Sequence, residues 1–169
     1  DVASFPGACA LEREGRHAEA VDFFISYTGA DEAWATWVAW ELEAAGYKTK
    51  IQAWDFRPGS NFVVEMDRAA REAKHTIAIL SPAYLDGVYT HAEWAGAFAT
   101  DPTGTRRTLV PVRVEACDLS GLLAQVVYID LLGLHESAAR HALVEGVRIG
   151  RGKPSSAPTF PGTQQPEFP

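Results

Sequence analysis

The chain has 169 residues, 47% of them hydrophobic and 22% charged, which suits one domain with a core of its own. A net charge of -7 argues against nucleic acid as the main partner, because phosphate binding needs a surplus of Lys and Arg; a small anionic ligand in a local basic pocket stays open. No stretch is apolar enough to span a bilayer, the acidic amino end does not read as a signal peptide, and Cys9 and Cys117 match no zinc spacing or disulfide framework, so free thiols in the cytoplasm are the expectation.

Residues 1–19 carry little order signal and read as either a leader or a short helix. The run Val21-Asp22-Phe23-Phe24-Ile25-Ser26-Tyr27 reads as a buried strand that ends abruptly in a small polar turn. The spacing then predicts a helix over 31–45, with Asp31 as N-cap, Gly46 as C-cap, and Trp34, Trp37, Val38, Leu42 and Ala45 on its apolar face. A short second strand follows over 48–52, then a loop over 54–61 that turns at Pro58-Gly59. A second helix is expected over 62–73, buried through Val63, Met66 and Ala70. His75-Thr76-Ile77-Ala78-Ile79-Leu80 is a near-continuous apolar strand, of the kind found in the middle of a parallel sheet. Residues 88–99 read as helix, 108–114 and 126–130 as the fourth and fifth strands, and 136–147 as a closing helix. The stretch 150–169 holds Pro154, Pro158, Pro161, Pro166 and Pro169 among Ser, Gly and Gln; this composition cannot bury a core and reads as a linker to a further domain.

This alternation predicts one α/β domain over 20–149 with a parallel sheet wrapped on both faces. Five strands joined by right-handed crossovers suggest a flavodoxin-like three-layer fold of strand order 2-1-3-4-5, with a crevice between the ends of strands one and three. Common tenants of that architecture are excluded by their motifs. There is no G-x-G-x-x-G after the first strand, no G-K-[ST] and no G-x-S-x-G. The third strand ends in Leu80-Ser81-Pro82, not in the aspartate of a phospho-accepting receiver. No histidine pair has close ligand spacing on a helix, so no metal is expected.

Four segments carry a resemblance. They are Asp22-Phe23-Phe24-Ile25-Ser26-Tyr27, Asp55-Phe56-Arg57-Pro58-Gly59-Ser60, Leu80-Ser81-Pro82-Ala83-Tyr84-Leu85 and Tyr89-Thr90-His91-Ala92-Glu93. Together, in this order, they resemble the TIR domain family: its first box, its second box or BB loop, the turn after its third strand, and the start of the next helix. Phe56 stands where many members carry a charged residue, and no third box is found. The resemblance implies one of two functions. Many bacterial and plant members, and one animal member, cleave NAD to nicotinamide and ADP-ribose or a cyclised product; others only self-associate and recruit partners. The bacterial NAD-cleaving type is the expectation, with defence or regulated signalling as its setting and self-association through the loop 55–60. NAD is then a substrate, and no cofactor is implied. A non-enzymatic TIR–TIR adaptor is the alternative, and nucleotide binding without turnover is a third possibility.

Glu93 discriminates between these readings. Tyr89 and Glu93 are four apart on the predicted helix and share a face beside the crevice. Nicotinamide leaves a pyridinium as a neutral ring, so no proton donor is needed and one carboxylate facing the developing cation can suffice. Tyr89 is placed to stack on a ring of the dinucleotide. The plainer reading of Glu93 is a solvated helix glutamate. Arg57 either reaches the NAD phosphates or merely flanks a turn. Tyr27, Thr28, Gly29 and Asp31 form the first-strand loop and are candidates to line the crevice, although Asp31 suits a helix cap better. Ser81 is either a hydrogen-bonding contact to substrate or turn chemistry before Pro82. Trp40 lies off the apolar face and suits either an interface or partial burial against a neighbouring element, Trp54 a place beneath the loop, and Trp94 with Phe98 a core.

Overall fold

The computed structural model describes residues 20–87, 104, 106–119 and 124–162. The predicted helix over 88–99, with Tyr89, Glu93, Trp94 and Phe98, lies outside them, as do residues 1–19 with Cys9.

Five parallel strands form one sheet in the order β2-β1-β3-β4-β5. They are β1 (Val21–Ser26), β2 (Thr49–Ile51), β3 (Ala73–Leu80), β4 (Leu109–Arg113) and β5 (Ile129–Asp130). Side chains alternate across a strand, and the sequence uses both faces. Phe23, Ile25, Ile77, Ile79, Val110 and Val112 point to one side and pack with Ala35, Val38, Ala39, Leu42, Ala139, Leu143 and Val147. Those partners come from α1 (Glu32–Ala44) and α5 (Glu136–Val147). Ala78 and Leu80 point to the other side, against Tyr84 of α4 (Pro82–Asp86). A strand buried on both faces needs no polar alternation, which is why β3 reads as continuous apolar sequence.

The helix ends follow local chemistry. Gly46, at φ 96°, closes α1: the Tyr47 N–H donates to the Leu42 carbonyl at 3.1 Å and the Gly46 N–H to that of Glu43 at 3.0 Å. This is a Schellman closure, and a side chain at that φ would be strained. On its flank, α1 is tied to α5 by the Arg140 guanidinium, which reaches Glu41 at 2.7 Å and Glu136 at 3.0 Å.

Two expectations are corrected. Residues 52–55 form a helical turn, α2 (Gln52–Asp55), where a loop is expected from 54 onward. The Asp55 carboxylate accepts the Ile51 N–H at 2.7 Å and winds the chain back onto the end of β2. Second, α3 (Phe62–Glu72) turns a different face inward. Val63 and Ala70 are exposed, Ala69 is buried, and Met66 is half-buried. The Asn61 side chain, accepting from the Val64 N–H at 3.2 Å, sets where the helix begins and therefore its rotation.

Gly146, in the last turn of α5, lies against β5. A Cβ there would stand 2.5 Å from Ile129 Cδ1 and 2.6 Å from its Cγ1. Alanine is the better helix former, but overlap outweighs propensity here. Gly146→Ala is expected to destabilise the fold by about 1–3 kcal/mol, read as a lower urea midpoint. An unchanged midpoint would mean that the Ile129 side chain turns aside freely.

β5 is short for a readable reason. The Val114 N–H donates to Leu80 and the Leu131 N–H to the Arg113 carbonyl, so even residues of β4 face β3 and odd ones face β5. Pro111 therefore turns toward β5 a nitrogen with no hydrogen to give. Pairing with β5 begins only at Val112↔Ile129, and Val127, just upstream, is 91% exposed.

The end of β5 is fastened by charge. The Arg113 guanidinium reaches Asp130 at 2.6 Å and lies over the Tyr128 ring at 5.1 Å. The hydrogen bond from Arg113 holds the Asp130 carboxyl below the usual carboxylate range. A depressed folded-state pKa stabilises above the unfolded value and is lost as pH falls through the folded one. Asp130→Asn is thus expected to cost a little stability at neutral pH and nothing in strong acid, with the difference shrinking in high salt because the pair is exposed. Urea midpoints at both pH values check this; an equal loss at both would remove the pair as the cause.

Candidate functional site

In a parallel sheet the carboxyl ends of all strands share one rim. Where β1 and β3 lead their connections to opposite faces, the rim opens into a crevice. Three connections of the chain meet along β2, β1 and β3: residues 27–31, residues 52–61 and the turn at 80–84.

The second connection is ordered by its own sequence. Pro58 and Gly59 (φ 92°) make a tight turn in which the Ser60 N–H and hydroxyl both donate to the Arg57 carbonyl, at 3.1 and 2.7 Å. Phe56 meets Phe62 edge to face at 6.0 Å and pinches the loop at its base. Arg57 thus presents an exposed guanidinium from a turn held by its own backbone. Trp54, Phe62, Val63 and Val64 are exposed beside it. Trp54 does not lie buried beneath the loop. Trp40 of α1 is 66% exposed.

The first connection carries Tyr27, Thr28, Gly29 and Asp31. Tyr27 is half-buried against the core; burial pushes its hydroxyl up, the Glu32 charge adds to this, and a hydrogen bond to the Ala53 backbone opposes both. Tyr27 therefore leans toward the β2 end of the rim. Gly29 is exposed, and nothing would meet a Cβ there within 4 Å, so the backbone can be approached closely from solvent. Asp31 is not the cap its position suggests. It makes no capping bond to α1 and is 2% exposed. Its Oδ2 instead accepts the Thr28 hydroxyl at 3.0 Å and the hydroxyl of Ser81.

Ser81 is 1% exposed. Besides donating to Asp31, its hydroxyl accepts the Tyr84 N–H at 3.1 Å and so caps α4, while Tyr84 Oη bonds Ser26 Oγ at 3.0 Å. To contact a substrate, Ser81 would first have to give up these bonds. Sequence reading singled out neither Tyr84 nor Ser26. The signal available was a strand-end serine opposite a tyrosine, and only the register of β1 on β3 brings them together.

Among the described residues no cluster of three or more His, Cys, Asp or Glu side chains could hold a metal, and no helix is long and apolar enough to cross a membrane. Cys117 is a free thiol, and burial pushes its pKa up, away from reactivity.

The profile of the TIR domain family matches residues 23–144. The chain belongs to the TIR domain family. Among solved structures, the TIR domain of the Toll-related receptor TRR-2 from Hydra magnipapillata matches with a TM-score of 0.62 and 20% identity, over 75% of this chain and 94% of that one. A TIR-STING receptor from C. gigas, in complex with 2',3'-cGAMP, matches with a TM-score of 0.60 and 25% identity, over 76% of this chain and 40% of the receptor. A second structure of that receptor gives 0.60 and 22%, over 79% and 42%. No curated protein matches. Residues 55–60, where the sequence resembles the BB loop, lie on the connection between β2 and α3. TIR domains self-associate, and the family includes NAD-cleaving enzymes as well as non-enzymatic adaptors.

Proposed function

We propose that this TIR domain is an NAD glycohydrolase of the bacterial type, activated by assembly and working in the cytoplasm in defence or signalling. Glu93 is the essential carboxylate. Tyr89, Tyr27, Thr28, Gly29 and Arg57 are the residues proposed to meet the substrate, while Ser81, buried and bonded to Asp31 and Tyr84, shapes the rim instead of touching the ligand. The observation that carries the reading is the segment Tyr89-Thr90-His91-Ala92-Glu93, which follows α4 directly in a chain of the TIR family. The exposed, phosphate-competent Arg57 and the open backbone at Gly29 on the same rim support it.

In the proposed reaction the bond between nicotinamide and the ribose breaks with both electrons going to the ring nitrogen, which becomes neutral. Positive charge grows on the sugar, and the Glu93 carboxylate stabilises it. Water then bonds to the anomeric carbon and releases a proton, giving ADP-ribose; attack by an adenine nitrogen instead gives the cyclic product. Arg57 would pair with the diphosphate.

The test is nicotinamide release from NAD by concentrated or artificially clustered protein, repeated with Glu93→Ala. Release by the wild type and its loss in the variant are expected. No release even when clustered would favour the adaptor, a reading supported by the exposed Trp54, Phe62, Val63 and Val64 beside the BB loop.

A further inference from the structure

Asp31 is a buried carboxylate with an unusual set of partners. Burying such a group is costly unless it is fully hydrogen-bonded. Here it caps no helix and makes no ion pair among the described residues. Its donors are two hydroxyls from different connections, Thr28 of the first-strand loop and Ser81 at the end of β3. From Ser81 the contacts continue through the Tyr84 N–H into α4, and from Tyr84 Oη to Ser26 on β1. Together with the backbone from Ser26 to Asp31, these bonds close a largely buried ring across the seam between β1 and β3, where the sheet's topology reverses.

We propose that Asp31 is a positioning residue. Its carboxylate gathers the Thr28 loop and the Ser81 turn into one rigid unit, fixes the width of the crevice between them, and so sets how tightly a dinucleotide seats there. This deepens the reading of the rim as an NAD site and rests on it. Both hydroxyls reach the same oxygen, Oδ2. One neutral carbonyl oxygen at that point can accept both, so the role needs an acceptor and not a charge.

That distinction makes the test sharp. Asp31→Ala is expected to raise KM for NAD about tenfold while kcat stays within about threefold, because loosened seating acts on binding more than on the bond-breaking step. Asp31→Asn, with its carbonyl on Oδ2, restores KM to near the wild-type value. Ser81→Ala, which removes the β3-side donor together with the cap on α4 and leaves the Thr28 bond in place, gives a smaller rise in KM and serves if Asp31→Ala does not fold. An Asn variant as impaired as Ala would show that the charge itself is needed and overturn the proposal. So would an unchanged KM in folded Asp31→Ala and Ser81→Ala. Failure of the enzyme reading is recognised separately, as wild-type protein that releases no nicotinamide when clustered. The ring is then judged by hydrogen exchange at the amides of 28–31 and 83–84. Faster exchange in Ser81→Ala and Asp31→Ala but not in Asp31→Asn supports it, and equal protection in all of them overturns it.

Discussion

Glu93→Gln is expected to lower the rate of nicotinamide release from NAD by about a hundred- to a thousandfold, with the fold intact. The amide keeps the size of the carboxylate and one acceptor oxygen but loses its charge. Charge is what the proposed step uses, because a cation exists on the ribose only while the bond is breaking. An interaction made chiefly in the transition state acts on kcat, so KM should move little. Rates under single-turnover conditions, with urea unfolding as a control on folding, measure this. A Gln variant as fast as the wild type would remove Glu93 from the chemistry, even if the chain still cleaved NAD.

Ile77→Ala is expected to cost about 2–5 kcal/mol of stability. Ile77 is fully buried in the middle of the sheet, with Ile25 of β1 and Val110 of β4 as its register partners. Strands on both sides fix the backbone, so little can move in to fill the cavity, and the upper part of that range applies. For a domain whose whole stability is about 5–15 kcal/mol, this is a large fraction. Val63→Ala, on the solvent face of α3, should change stability by less than about 0.5 kcal/mol. Urea midpoints of the two variants give the comparison; equal losses would mean that the assigned faces are wrong.

Much of the architecture was legible in the sequence because strands buried on both faces leave an unmistakable apolar run. The residues 21–27 and 75–80 specify β1 and β3, and the right-handed crossover then leaves few strand orders. Helix rotation was less legible. The sequence 62–73 offers apolar residues on more than one face, and the choice between Val63 and Ala69 is made by the Asn61 cap. The one-turn helix at 52–55 was hidden for a similar reason, since it depends on a single bond from Ile51 to Asp55.

The rim itself was partly readable. Tyr27, Thr28, Gly29, Arg57 and Ser81 all lie on connections at the carboxyl ends of neighbouring strands. What the sequence could not reveal is which polar side chains are spent on one another. Asp31 and Ser81 are fifty positions apart, and each has a satisfactory local explanation, as helix cap and as turn residue. Only the pairing of β1 with β3 makes them neighbours. Tyr89 and Glu93 lie outside the described residues, so their place rests on the motif.

Pro111 has a consequence for how such domains crowd together. The outermost strands are stubs, with three residues in β2 and two in β5, and the chain before β5 is denied a backbone donor. A ragged border of this kind is a poor template for ribbons that grow strand upon strand. Self-association of such a domain is then left to side chains, because its borders give little backbone for a further strand to pair with.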